Sequence, residues 1–499
     1  MSNPVDHRPA SRLLLPVAAY GVLLLTVLQS MVVPILSQIQ VALHSTAGAV
    51  SWVLTVNLLA AAVLTPVLGR LGDLRGRRVV LLGVLAVVLA GSLLAATTDN
   101  LPLLLLARAM QGVSYALFPL GIGMLRDELP PTRLTGPMAI VSGAVAVGSG
   151  LGLVATGLLV GDGGNYHTVF WLASALSVVG LVATWLVVPR RRPSATGRID
   201  WAGAGLLGAA LVLLLLPLEK GNDWGWSSAR VLGMFAAAVA AFALFVLVER
   251  RVNQPLVSLR MFSHRPLAIA NLAGLLLGAL MFVGFLTVSA FVQTPPTLAG
   301  YGFAATVLAT SVVYLLPGTL SGVITAPLGG RLVARYGAKP TLALALILPA
   351  GGFLLLAVLH SATWQLILGA FLVLNGVTLG YAALPALLVA HVTPAETGIA
   401  NSVNSIARSV GSAVASALVV TMLSRNPVPG LPVPLPQVSQ YVVLLAVAAA
   451  VAALAAVLVL VGLPRRARPV VTPAQVEAED VLGAAGLDIP APLRPAPAN

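Results

Sequence analysis

The chain has 499 residues, of which 58% are hydrophobic and only 9% charged. A soluble domain carries about 25% charged residues to cover its surface, so a water-soluble enzyme or binding module is excluded and lipid must cover the protein instead. The 28 Lys and Arg against 15 Asp and Glu give a net charge of +13. In a membrane chain that excess marks cytoplasmic loops, and it gives no ground for a nucleic-acid partner. Cysteine is absent, which excludes disulfides, thiol catalysis and Cys-ligated metals. Arg outnumbers Lys 26 to 2, the coding bias of a GC-rich bacterial genome.

A membrane-spanning helix needs about 20 apolar residues, and fourteen such runs follow one another. The first six lie near Leu14–Leu36, Val50–Gly69, Val79–Thr97, Leu101–Leu125, Pro137–Val160 and Thr168–Val188. Two more, Trp201–Leu218 and Arg230–Val248, occupy the middle. The last six are Leu267–Gln293, Ala304–Leu328, Thr341–Leu359, Trp364–Ala390, Gly398–Leu423 and Tyr441–Gly462. The first run is too long for a signal-peptide core and is expected to stay in the mature protein.

Alternate loops and the two termini hold 23 of the 28 cations, including Arg70, Arg75, Arg77 and Arg78. The positive-inside rule places both termini in the cytoplasm of a multi-pass plasma-membrane protein. The expected organisation is a leader over 1–12, a six-helix bundle over 13–189 and two inserted helices over 190–266. A second six-helix bundle then covers 267–463, and a disordered tail 464–499.

An internal repeat supports two related halves. PVLGRLGDLRGRR from Pro66 and PLGGRLVARYGAK from Pro327 align at a constant offset, pairing Gly69 with Gly330, Gly76 with Gly337 and Arg78 with Lys339. Gln111-Gly112 pairs with Asn375-Gly376 at nearly the same offset. Parallel halves about an axis along the membrane normal, with a cavity between them, are a transporter plan.

GRLGDLRGRRV resembles the signature loop of the major facilitator superfamily through Gly69, Leu71, Asp73, Gly76, Arg77 and Arg78. LLLARAMQGVSYA resembles that superfamily's buried-arginine motif through Arg108, Gln111 and Gly112. GAVAVGSGLGLVATG resembles its glycine-rich antiporter motif through Gly143, Gly148, Gly150, Gly152 and Gly157, without the proline common there. With fourteen spans, the chain is similar to the fourteen-helix drug:proton antiporter branch. The resemblance implies an all-α integral membrane protein of the major facilitator fold, two six-helix bundles plus two central helices. It also implies protons as the coupling ion.

Physically, Gly69, Gly72 and Gly76 let the chain turn tightly, and Asp73 can pair with Arg77, Arg78 or a facing helix end as a conformational latch. Ala334 stands where the second half would carry that acid. Arg108 and Arg408 fall inside spans, where an ionisable group is a functional-site candidate. Polar residues buried in the paired halves, namely Gln29, Asn57, Gln111, Tyr115, Tyr314, Asn375 and Tyr381, are cavity candidates.

No carboxylate falls at the middle of a span. A cation-selective cavity needs one, so neutral, zwitterionic or anionic amphiphiles fit better, and coupling must use peripheral acids such as Asp73, Asp127 or Glu128. No phosphate loop GxxxxGK[ST] occurs, which disfavours ATP-driven transport. Nor does any cofactor, metal or enzyme signature. The reading is a monomeric exporter of small amphiphilic drugs. Export of an endogenous lipid or metabolite, solute uptake and a non-transporting sensor are its alternatives.

Overall fold

The computed structural model describes residues 13–128, 135–161, 164–190, 199–252, 264–392, 397–429 and 435–463. Leader and tail therefore lie outside the described residues. Among the described residues, thirteen helices are long and apolar enough to cross a membrane, and a fourteenth contributes the apolar run Val147–Val160. The first six are α1 (Leu14–Ala42), α2 (Ala47–Arg75), α3 (Arg77–Thr97), α4 (Leu101–Leu125), α5 (Thr135–Val160) and α6 (His167–Val187). Next come α7 (Trp201–Trp224) and α8 (Ala229–Glu249). The second six are α9 (Arg265–Gln293), α10 (Val307–Tyr336), α11 (Ala338–Val358), α12 (Thr363–Val389), α13 (Thr397–Ser424) and α14 (Val438–Gly462).

Local chemistry starts several of these helices. The side chains of Thr46, Asn100, Asp200 and Ser228 accept backbone N–H bonds at the starts of α2, α4, α7 and α8. Each such cap contributes about 1 kcal/mol. Two deviations from regular helix lie beside prolines, which remove a backbone donor. A 3-10 turn at Val33–Ile35 carries Pro34 in α1, and a π turn at Thr310–Leu315 precedes Pro317 in α10.

The charged segments that hydropathy leaves between spans two and three, and ten and eleven, are almost wholly helix. α2 runs to Arg75 and α3 begins at Arg77, so the turn is Gly76 alone, at φ 90°. α10 and α11 meet likewise at Gly337, φ 91°. Charged final turns leave the bilayer while staying helical, and hydropathy therefore ends a span too early there. Gly69 and Gly72 are helical, so the tight turn expected of all three glycines falls to Gly76.

Within the first six helices α1 packs on α5, α2 on α4 and α3 on α6. In the second six, α9 packs on α13, α10 on α12, and α11 on both α12 and α14. The halves meet where α2 lies against α13 and α5 against α10. α7 and α8 pair with each other, and α7 alone of the two packs extensively on α2 and α13. Large apolar side chains remain exposed on α8, among them Leu232, Val239, Leu244 and Leu247, as a lipid-facing helix requires.

Candidate functional site

At the cation-rich face the charged turn is built from helix ends. Asp73, in the last turn of α2, pairs with Arg77 at the start of α3, 3.1 Å away. Arg77 also donates to the Gly123 carbonyl of α4. A side chain at Gly123 would occupy the guanidinium's place, so glycine there is a condition of the contact. Arg78 reaches the Trp185 carbonyl in the last turn of α6 at 2.6 Å. Its repeat partner Lys339 reaches the Leu463 carbonyl, which caps α14, at 2.5 Å. A cation at a helix C-terminus is favoured by the helix dipole, so the repeated position performs one task in both halves. The side chain of Asp127 lies outside the described residues.

Arg108 is enclosed, with 1% exposure. Its Nε donates to the Val53 carbonyl of α2 at 3.0 Å, and its Nη1 to Gln111 at 2.6 Å. Gln111 donates onward to Ser92 of α3, and Asn57 of α2 donates to the Arg108 carbonyl at 2.9 Å. The four side chains stitch α2, α3 and α4 together. Asn375 does the corresponding work in the second half. It bonds Ser321 and Thr325 of α10 and the Phe371 carbonyl of its own helix.

Arg408 is different. It is half-buried, and its Cζ lies 4.7 Å from the centroid of the Tyr381 ring. Tyr381 of α12 and Tyr115 of α4 occupy nearby positions in the repeat, and Tyr115 interacts electrostatically with Arg108, Tyr381 and Arg408. Charges and phenols from both halves thus act on Tyr115. The Tyr115 hydroxyl is buried without a hydrogen-bond partner. Gln29 of α1 is half-buried between the buried Leu28 and Ser30. Tyr314 stands apart from this group, packed against Phe303 in the π turn of α10.

The helix-five glycines serve two partners. A methyl at Gly148 or Gly152 would strike Leu23 and Val27 of α1, whereas one at Gly150 or Gly157 would meet Leu316 and Leu308 of α10. The side of α5 at Gly143 lies outside the described residues. In the second half Gly278 of α9 and Gly411 of α13 bring backbones equally close.

Sequence reasoning missed the ties at the cation-poor face. Gln293 of α9 donates to the Pro34 carbonyl of α1 at 3.1 Å, and its Oε1 accepts from Ser37 at 2.8 Å. Thr55 of α2 bonds Ser416 of α13 at 3.3 Å. Only the end-of-span position of Gln293 signalled such a role. Among the described residues no group of three His, Asp or Glu is placed to hold a metal.

The family model described as Major Facilitator Superfamily matches residues 18–416 and 309–497. Among curated relatives, a tetracenomycin C resistance and export protein of Streptomyces glaucescens is 30% identical, over 84% of this chain and 79% of its own. The multidrug transporter protein MdtP of Bacillus subtilis is 27% identical, over 72% of this chain and 66% of its own. Among solved structures, the nucleoside transporter NupG superposes with a TM-score of 0.60 at 14% identity, over 90% of this chain and 98% of that one.

Proposed function

Because the chain belongs to the Major Facilitator Superfamily, we propose that it exports small amphiphilic molecules, drugs and antibiotics among them, across the bacterial plasma membrane by alternating access. The observation that carries this reading is the half-buried Arg408, within the α13 span and packed on the face of Tyr381 of α12, where α13 lies against α2 of the other half. A group held there changes its surroundings whenever the halves rock, which is what a carrier requires. The names of the Streptomyces and Bacillus relatives support export over uptake.

In this reading the cation-rich face is cytoplasmic. In the conformation described, Gln293 with Pro34 and Ser37, and Thr55 with Ser416, tie the halves at the opposite face. Release outward requires those bonds to part. The Asp73–Arg77 pair stabilises one arrangement of the helix ends at the cytoplasmic side. Proton coupling belongs to the proposal too. With no acid at mid-span it falls to Asp73, Asp127 or Glu128, or to a titrating group on the substrate.

The test is drug accumulation in a pump-deficient host expressing the wild type, Asp73→Ala or Arg408→Ala. Lower accumulation of some amphiphile with the wild type, restored by Asp73→Ala, is expected. Unchanged accumulation across a broad antibiotic and dye panel would sink the exporter reading.

A further inference from the structure

The central arginine of α13 bears on which amphiphiles these are. Arg108 cannot address a ligand, since Val53 and Gln111 engage its guanidinium and it is 1% exposed. Arg408 is half-buried, and its contact is the face of Tyr381, which leaves the N–H fork without a hydrogen-bond acceptor among the described residues. The guanidinium stays charged at any physiological pH and matches a carboxylate with two parallel bonds.

The backbone that carries it is closely packed. Gly278 and Gly411 let the backbones of α9 and α13 touch, and Ser412 donates to both the Gly278 and the Arg408 carbonyls at 3.0 Å. Tyr381 is braced in turn by Met281 of α9, 3.9 Å from its hydroxyl. Across the interface Tyr115 adds a second phenol whose hydroxyl bonds nothing. The array is one cation on the face of one tyrosine, with the Tyr115 phenol within its electrostatic reach and no carboxylate at the middle of any span. Planar rings stack on such tyrosines, and a preorganised cation selects for a negative group.

We infer that Arg408, Tyr381 and Tyr115 form an anion-recognition site, and that the preferred substrates are planar aromatic compounds bearing an ionised carboxylate or acidic phenol. This rests on the exporter reading for its biological direction. The binding claim can be checked separately.

The experiment is equilibrium binding of anthraquinone-2-carboxylate and of its uncharged carboxamide to the full-length protein in lipid nanodiscs. Wild type is expected to prefer the acid by about 10-fold or more, the scale of a charge-assisted contact. Arg408→Gln should abolish that preference, and Arg408→Lys should retain part of it. Tyr381→Ser serves as the second variant. It should weaken acid and carboxamide alike, with the ratio preserved. Equal affinity of the wild type for the two ligands, or a preference that persists in Arg408→Gln, overturns the inference. Selective binding of the acid with no efflux of it from loaded proteoliposomes would sustain the site and count against the exporter reading alone.

Discussion

The two six-helix halves repeat the same helix order and reverse direction at matching glycines, Gly76 and Gly337, yet they treat an intramembrane arginine in opposite ways. In the first half Arg108 is surrounded by acceptors on α2 and on its own helix. In the second, Arg408 has an aromatic face. Placing an arginine at the centre of a span costs about 2.5–3.5 kcal/mol on insertion scales. Hydrogen bonds to a charged group return about 1.5–3 kcal/mol each, enough to offset that cost at Arg108. A cation–π contact returns about 0.5–2 kcal/mol, which falls short at Arg408. The difference separates a clamp from a site: one arginine is complete without a ligand, and the other gains from one.

The largest expected effect tests that contrast directly. Arg108→Ala strands the Gln111 amide oxygen in the interior and removes the side-chain tie from α4 to Val53, leaving the Asn57 bond to the carbonyl of residue 108 to join the two helices. It should lower stability by about 2–4 kcal/mol. Arg408→Ala leaves no hydrogen-bond partner behind and should lower it by less than about 1 kcal/mol. Thermal unfolding in detergent measures both. Equal losses would erase the distinction between the halves.

Close backbone packing is where the halves should behave alike. Gly152→Ala places a methyl against Val27 of α1, and Gly411→Ala places one against Leu275 of α9. Each is expected to cost about 1–3 kcal/mol by overpacking. Gly69→Ala and Gly330→Ala are the matched controls, since open space surrounds both positions. Better helix propensity should make those two neutral or stabilising, by up to about 1 kcal/mol. The same detergent melts compare all four, and a loss at Gly69 as large as at Gly152 would show that α2 packs differently from this description.

Much of this was legible in the residues. The spans, the repeat and the pairing of Arg78 with Lys339 followed from hydropathy and constant spacing, because both leave periodic traces; that each cation caps a helix end did not. The helical character of the charged turns did not, since polar final turns look like loops to any hydropathy reading. Arg108 and Arg408 were visible as charges inside spans, but not which of them is enclosed, because that depends on acceptors from other helices. Val53 offers only a backbone carbonyl, and no side-chain pattern announces it. The bonds from Gln293 to Pro34 and Ser37 were hidden for the same reason: the partners lie more than 250 positions apart.

The smallest stability effect carries the sharpest comparison at the helix ends. Asp73 and Arg77 pair in the first half, whereas the repeat places Ala334 and Ala338 at the corresponding positions. Both partners are partly exposed, 37% for Asp73 and 18% for Arg77, so the pair contributes about 0.2–1 kcal/mol. Asp73→Asn should therefore shift the melting temperature little. It should nonetheless slow transport, if the pair holds one arrangement of the helix ends, because an energy that small still shifts a two-state equilibrium by up to about 5-fold. Installing the absent pair with Ala334→Asp and Ala338→Arg tests the asymmetry from the other side. A second latch should favour the same closed arrangement and lower the turnover rate measured in proteoliposomes. Unchanged turnover in both variants would reduce the charged turn to packing, and would leave the halves differing at their arginines alone.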